Sequence, residues 1–327
     1  MYSSRYHVRH ETTYEYLHPV SESHHLLRLT PRDLPWQQCL DHRLLIDPQP
    51  DLQRTFVDSF GNHITAIQFL TDHNRLEVSS ECWVDLAPRP TVEPGPAGQS
   101  WEQVRDQLRY QAGHPMAGDT LQAAAFRFSS PLIPTGQQYG SFTPDRRLTE
   151  ACQDLMLRIY QEFTFDNEAT DVSTPVASVL KQKRGVCQDF AHLMIACLRS
   201  LGLAARYVSG YLLTNPPAGE ARLVGADATH AWVSVFVPGA GWLEFDPTNG
   251  VTPDHAHIIL GWGRDFSDTT PMRGVLLGGG EHKLDIAVTV VPEAEFELIY
   301  DQGDTLLTKP EGLAANPAVQ TPSAVNR

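Results

Sequence analysis

Apolar and polar residues alternate in short stretches over residues 5–86. Tyr6, Val8, His10, Thr12, Tyr14 and Tyr16 fall on one parity, as do Ile64, Ala66 and Gln68, and then Leu76, Val78, Ser80, Cys82 and Val84. A period of two puts such residues on one face of a strand, and the Asp, Pro, Gly and Asn clusters between them mark turns. The pattern predicts an antiparallel β-sandwich over residues 1–100. Its last fifteen residues, 86–100, hold four prolines and two glycines and read as a linker. The period then changes. Residues 101–112 form one candidate helix. Thr143 with Pro144 offers an N-cap and a first-turn proline for a second helix running to about residue 163, and Thr174 with Pro175 repeats the device for a short helix ending before Gly185. Residues 188–201 are apolar nearly all round, which describes a buried helix. Strands are expected over 203–213 and 228–291, with 287–292 closing their sheet. The expected fold is α+β: a β module at 1–100, a core at 101–300, and a disordered tail at 301–327 rich in Pro, Ala, Asn and Ser. No internal repeat is present.

Chemistry concentrates on the buried helix. Cys187 lies between Gly185 and the apolar run, so it falls in the first turn, where unpaired N–H groups and the positive end of the helix dipole favour an anion. A thiolate is expected there. A lone cysteine on an apolar helix is more often structural, and Cys197, deep in the same run, fits that description. A zinc site from Cys187, His192 and Cys197 fails on geometry, since steps of five residues at about 100° each leave successive side chains about 140° apart around the helix.

A histidine and a carboxylate follow on a hairpin. Residues 228–237 are rich in β-branched and aromatic side chains, and Pro238-Gly-Ala-Gly241 turns the chain into Trp242-Leu-Glu-Phe-Asp246. His230 and Asp246 share a face only if paired residues sum to an even number. The sequence permits this register without requiring it, and Asp246-Pro247 alone reads as a turn. Brought together, a thiol, an imidazole and a carboxylate are the parts of an activated cysteine nucleophile.

The strings Gly185-Val-Cys-Gln-Asp-Phe-Ala-His192, Ala205-Arg-Tyr-Val-Ser-Gly-Tyr211, Thr229-His-Ala-Trp232, Gly241-Trp242 and Asp246-Pro-Thr-Asn249 resemble the transglutaminase-like superfamily of papain-fold cysteine enzymes. The opening Tyr6-His-Val-Arg-His-Glu-Thr-Thr-Tyr-Glu-Tyr16, Leu27-Arg-Leu-Thr-Pro-Arg32 and Phe60-Gly-Asn62 resemble the N-terminal β region of its bacterial branch, as do 263–268 and 273–279 nearer the other end. The resemblance implies a papain-like core, a Cys-bearing helix against an antiparallel sheet, with Cys187 as nucleophile, His230 as base and then acid, and Asp246 as the orienting carboxylate. It implies acyl transfer from an amide through a thioester on a peptide or protein substrate. Peptide-bond hydrolysis by a peptidase or amidase is the first expectation. Glutamine transglutamination or deamidation is the alternative, and a non-catalytic scaffold a third. Tyr211 and Trp232 are expected to wall the cleft as substrate-binding residues. Cys187 N–H is expected to donate to the oxyanion, with Gln182 or Asn167 as second donor.

Composition narrows the partners. Thirty-nine acids against 25 Lys and Arg leave a formal charge of −14, which argues against nucleic acid or anionic lipid as a partner. No apolar run reaches the ~18–20 residues of a membrane span, and no charged-then-apolar leader opens the chain, so cytoplasm is expected. Five scattered cysteines are too few for a disulfide scaffold. No cofactor and no metal are expected: His24, His25 and His42 read as solvated loop residues, and His255 with His257 offers two ligands without a third.

Overall fold

The structure is a computed structural model and describes residues 4–89, 98–113, 116, 118–136, 139, 140, 142–214, 225 and 229–300. Most of the expected linker and the whole of the expected tail lie outside the described residues.

The N-terminal strands are β1 (Ser4–Leu27), β2 (Gln37–Asp47), β3 (Leu52–Val57), β4 (His63–Phe69) and β5 (His73–Leu86). Short helices α1 (Trp101–Gln107) and α2 (Gly118–Ala124) follow, then α3 (Leu148–Glu162), β6 (Thr164–Phe165), α4 (Val176–Gln182), β7 (Arg184–Gly185) and α5 (Cys187–Ser200). The chain then runs through β8 (Ala205–Leu212), β9 (Thr229–Val237), β10 (Gly241–Phe245), β11 (His257–Gly263), α6 (Phe266–Thr269), β12 (Met272–Gly278), β13 (His282–Pro292) and α7 (Phe296–Ile299). Among the described residues, no helix is long and apolar enough to cross a membrane.

The α+β class is realised, with two corrections. The expected sandwich is one seven-stranded sheet curled on itself. Its axis is β1, whose first half pairs with β5 and β13 and whose second half pairs with β4 and β12. The bend falls between Glu15 and Val20, where the register with β5 shifts. Across it, Tyr16, Ile46, Leu76 and Val78 bury against Leu27, Ile67 and Phe69 in one apolar cluster. The second correction is that residues 272–292, placed by sequence in the core's own sheet, hydrogen-bond to β1 instead. The chain leaves the N-terminal lobe after β5 and returns to it at the end, so the lobe is not confined to residues 1–100.

The second lobe has a four-stranded antiparallel sheet, β10-β9-β8-β11. Every residue of α5 from Asp189 to Arg199 is buried, and the helix packs on β8 and β9. Helix α3 starts at Leu148, four residues beyond the expected proline, because Asp145 takes a left-handed conformation (φ 62°) that interrupts the turn.

The lobes share an apolar core: Tyr6, Val8, Val84, Leu86, Val288 and Val290 from one pack against Tyr211, Leu213, Ile258 and Leu260 from the other. Full burial contributes about 1.5–3 kcal/mol per large apolar side chain, so the contact is a strong one. Polar clamps fix its register on the outer edge of β11. The Gln37 amide accepts from Ile259 N (2.7 Å) and donates to Ile259 O (2.7 Å). Asn62 accepts from Trp262 N (3.0 Å) and donates to Trp262 O (2.8 Å). Two side-chain amides, with Arg32 N–H donating to Ile259 O (3.3 Å), thus satisfy the outer edge of the strand.

Candidate active site

The approach to Cys187 is pinned from both sides. A two-residue parallel ladder, Thr164 with Arg184 and Phe165 with Gly185, holds the chain entering α5. Val186 is extended (φ −113°, ψ 179°), and the Asp189 carboxylate reaches back to accept its N–H at 2.8 Å, with Thr170 Oγ1 donating to the same oxygen at 2.6 Å. That contact explains Gly185: a Cβ there would lie 2.6 Å from Asp189 Oδ2. Burial pushes the Asp189 carboxyl up, and the Thr170 and Val186 hydrogen bonds oppose the rise. Cys187 is then the first helical residue, half-buried, and its N–H has no partner within the helix. Cys197 is buried on the same helix.

The hairpin has the even register. Gly241 pairs with Val237 and Phe245 with Val233, both pairs summing to 478 by residue number, across a three-residue turn with Gly239 in the left-handed region (φ 81°). His230 Nε2 donates to Asp246 Oδ2 at 2.8 Å. Asp246 also anchors the turn that follows it, since Oδ1 accepts from Thr248 N (2.9 Å) and Asn249 N (3.2 Å). Both expectations for the Asp-Pro pair are met by one residue: it is a turn former and the histidine's partner.

The electrostatics follow. Burial alone would lower the His230 pKa, but the Asp246 charge and hydrogen bond, reinforced by Cys187, overcome it and raise the imidazole to about 10. Asp246 is completely buried, which would raise its carboxyl, yet His230 and His257 hold it far below the usual carboxylate range. Since Nε2 faces Asp246, Nδ1 is left for the interaction with Cys187. No contact between His230 and sulfur has the distance and alignment of the Asp246 bond, the looser nucleophile–base geometry common in free cysteine enzymes.

Sequence reasoning missed two residues. His257 Nε2 donates to Asp246 Oδ2 at 3.2 Å, and Asn249 Nδ2 donates to the same atom at 2.7 Å. The signal for His257 lay in its two-residue spacing from His255, but the partner it implied was an ion. Ligand atoms of His230, Asp246 and His257 do lie within 4.8 Å of one another. Both imidazoles already direct Nε2 to one carboxylate oxygen, so holding a metal there would require giving up the bond that orients His230.

Tyr211 and Trp232 do not line a cleft. Tyr211 is buried between the lobes with its hydroxyl 3.0 Å from His10 Nδ1. Trp232 is fully buried and stacks on His230 at 5.9 Å between ring centroids, backing the imidazole. Of the proposed oxyanion donors, Gln182 donates to Arg184 O at 3.3 Å and Asn167 is exposed. Neither side chain is hydrogen-bonded to Cys187 or His230 among the described residues. His24, His25 and His42 sit on β1 and β2 rather than in loops, and His25 is buried.

Residues 6–85 match the model of the bacterial transglutaminase-like N-terminal region, and residues 138–247 match that of the transglutaminase-like superfamily. An uncharacterized protein of Mycobacterium tuberculosis is 42% identical over 298 residues, covering 88% of this chain and 93% of that protein. The chain belongs to the transglutaminase-like superfamily. A Pseudomonas aeruginosa protein-glutamine gamma-glutamyltransferase is 33% identical over 110 residues, 31% of this chain and 16% of that enzyme. A solved structure described as a candidate cysteine protease from Cytophaga hutchinsonii matches with a TM-score of 0.69 over 90% of this chain and 92% of that one, at 19% identity. That likeness carries the fold. Membership supports a cysteine-dependent enzyme in the broad sense.

Proposed function

We propose that the protein is a cysteine amidohydrolase acting on peptide bonds, with Cys187 as nucleophile, His230 as acid and base, and Asp246 as the orienting group. The observation that carries the proposal is the 2.8 Å bond from His230 Nε2 to the buried Asp246 carboxylate, which leaves the other ring nitrogen for the thiol at the start of α5. Sγ attacks the carbonyl carbon while the oxyanion takes the Cys187 N–H. The C–N bond breaks as His230 gives its proton to the departing amine, and a thioester remains. Water then attacks, His230 takes its proton, and the C–S bond breaks to release the acid.

Hydrolysis is favoured over amine transfer because transfer needs a site that keeps water at ~55 M from the thioester. The two aromatic residues expected to provide that shield are committed to the core. The second reading, amine transfer to or deamidation of glutamine, draws on the Pseudomonas relative over the stretch it shares. A mass-spectrometric screen of peptides with and without added amine, comparing wild type with Cys187→Ala, separates them. Chain cleavage lost in the variant supports the proposal. Ammonia release without cleavage, or amine incorporation outpacing cleavage, replaces it with the second reading, and no Cys187-dependent turnover defeats both.

A further inference from the structure

A cavity of about 1450 Å³ opens between the lobes, and none of Cys187, His230 or Asp246 lines it. Its wall includes Arg32, Phe60, Arg206, Trp242 and Trp262. Arg206, on β8, is only 7% exposed. Its guanidinium carbon lies 4.1 Å from the Trp242 ring centre and 3.6 Å from that of Trp262. Arg32 stands 3.7 Å from the same Trp262 centre. Two guanidinium groups so close to one ring centre cannot share a face, so the order of the stack is Trp242, Arg206, Trp262, Arg32.

The stack closes both faces of Arg206 and leaves only the in-plane N–H edge for hydrogen bonding. Among the described residues, nothing takes that edge: the Arg206 side chain has no hydrogen bond and no ion pair, and its Nε is buried without a partner. Arg32 gives Nη1 to Phe60 O (3.1 Å) and Asn62 Oδ1 (2.8 Å), both neutral acceptors, and its Nε is likewise unpaired. Glu244 acts on Arg206 through charge alone, while its carboxylate is hydrogen-bonded to Arg89. A buried and a half-buried cation therefore face one cavity and repel each other. Asp119, Glu150 and Glu244 line the same cavity, and Glu244 and Asp58 act on Arg206 and Arg32 through charge, but among the described residues no carboxylate is hydrogen-bonded to either guanidinium. Ring quadrupoles offset part of the cost of such burial, not all of it.

A purely structural arginine in this protein looks different. Arg199, also buried, gives Nε and both Nη groups to Phe126 O, Ala205 O, Arg264 O and Ser130 Oγ. Against that standard, the edge of Arg206 is a planar donor fork held ready for oxygens that the protein itself does not supply.

We propose that this inter-lobe cavity binds an organic anion, a carboxylate or a phosphate ester with an apolar body, whose oxygens bond the in-plane edge of Arg206 and whose charge is balanced with the help of Arg32. Phe60, Phe126 and Phe236 supply the apolar wall. The site is independent of the proposed hydrolysis, and Cys187→Ala should bind as wild type does.

The test is calorimetric titration of the full chain with sodium hexanoate and with hexyl phosphate at constant ionic strength, using 1-hexanol as the uncharged control. At least one anion should bind saturably with one site per chain, with 1-hexanol at least about tenfold weaker. The better anion identifies the head group. Arg206→Gln should weaken binding about tenfold or more, and Arg32→Gln by a smaller factor in the same direction. Circular dichroism checks that each variant is folded, and should Arg206→Gln unfold, Arg32→Gln and the hexanol comparison still decide. Absence of saturable binding by either anion, equal binding of 1-hexanol, or undiminished binding in a folded Arg206→Gln or Arg32→Gln protein would overturn the proposal.

Discussion

His257 and His230 direct their Nε2 atoms to a single oxygen, Oδ2 of Asp246, at 3.2 and 2.8 Å. The carboxylate is thus held by an imidazole on the strand that runs along the N-terminal lobe and, in turn, holds the imidazole that faces the thiol. Removing the outer histidine should loosen the inner one without touching substrate. His257→Gln is expected to lower kcat by about one order of magnitude with little change in KM, the worth of a hydrogen bond to a charged group. Steady-state kinetics on a peptide substrate checks the split. A rise in KM alone would place His257 in binding instead.

Asp246→Asn should do more. Loss of the charge lets burial act unopposed on His230, so the imidazole pKa falls from about 10 toward or below its ordinary ~6.5. The stability that the raised pKa contributes is complete below pH ~6.5 and is lost as pH rises through about 10. The variant should lose this pH dependence, show its basic limb of activity shifted downward, and fall in kcat/KM by about 10³-fold or more. Paired pH profiles of activity and urea stability measure both.

Iodoacetamide at pH 6 should label Cys187 ahead of every other cysteine. Burial raises Cys39 and Cys197 to about 12 and pushes Cys82 and Cys152 further up, so those thiols stay protonated. His230→Ala should slow labelling of Cys187 by an order of magnitude or more. Peptide mapping by mass spectrometry reads the order, and equal labelling of all five would speak for a scaffold.

Gly185→Ala should be costly for a residue so small. The added Cβ meets Asp189 Oδ2 at 2.6 Å and would drive the carboxylate off Val186 N–H. Leaving buried polar groups unpaired costs about 1–3 kcal/mol each, and urea unfolding should show a loss in that range together with reduced labelling of Cys187.

Gln37→Leu tests the clamp between the lobes. Leucine has similar bulk but takes the amide away from Ile259 N–H and Arg32 C=O, while Ile259 C=O keeps its bond from Arg32 N–H at 3.3 Å. A loss of about 2–4 kcal/mol in urea stability is expected. Retention of wild-type stability would mean that water replaces the amide without cost.

The site was legible in the sequence where the physics is local. Cys187 at a helix start follows from Gly185 and the apolar run, while the hairpin permitted His230 and Asp246 to share a face without requiring it, and the even register is a finding of the fold. What depended on distant pairing was not legible. His257 looked like half of a metal site because only the fold shows that Asp246 lies within reach of its ring. Tyr211 and Trp232 looked like cleft walls because a strand's apolar residues do not declare which neighbour covers them, and the cover for Tyr211 is β1, some two hundred residues earlier. The strand at 287–292 was legible as a strand, but its partner was not: the period of two gives a face and never names the neighbour.

The pairing of β1 with β12 and β13 orders events during synthesis. The strand Ser4–Leu27 is translated well before Met272–Pro292, and one of its two edges is covered only when that segment arrives. Until then the nascent chain exposes a long bare ladder of the kind that recruits other strands. Termination just before residue 272 would leave Cys187, His230 and Asp246 all translated, yet attached to a lobe missing two of its seven strands.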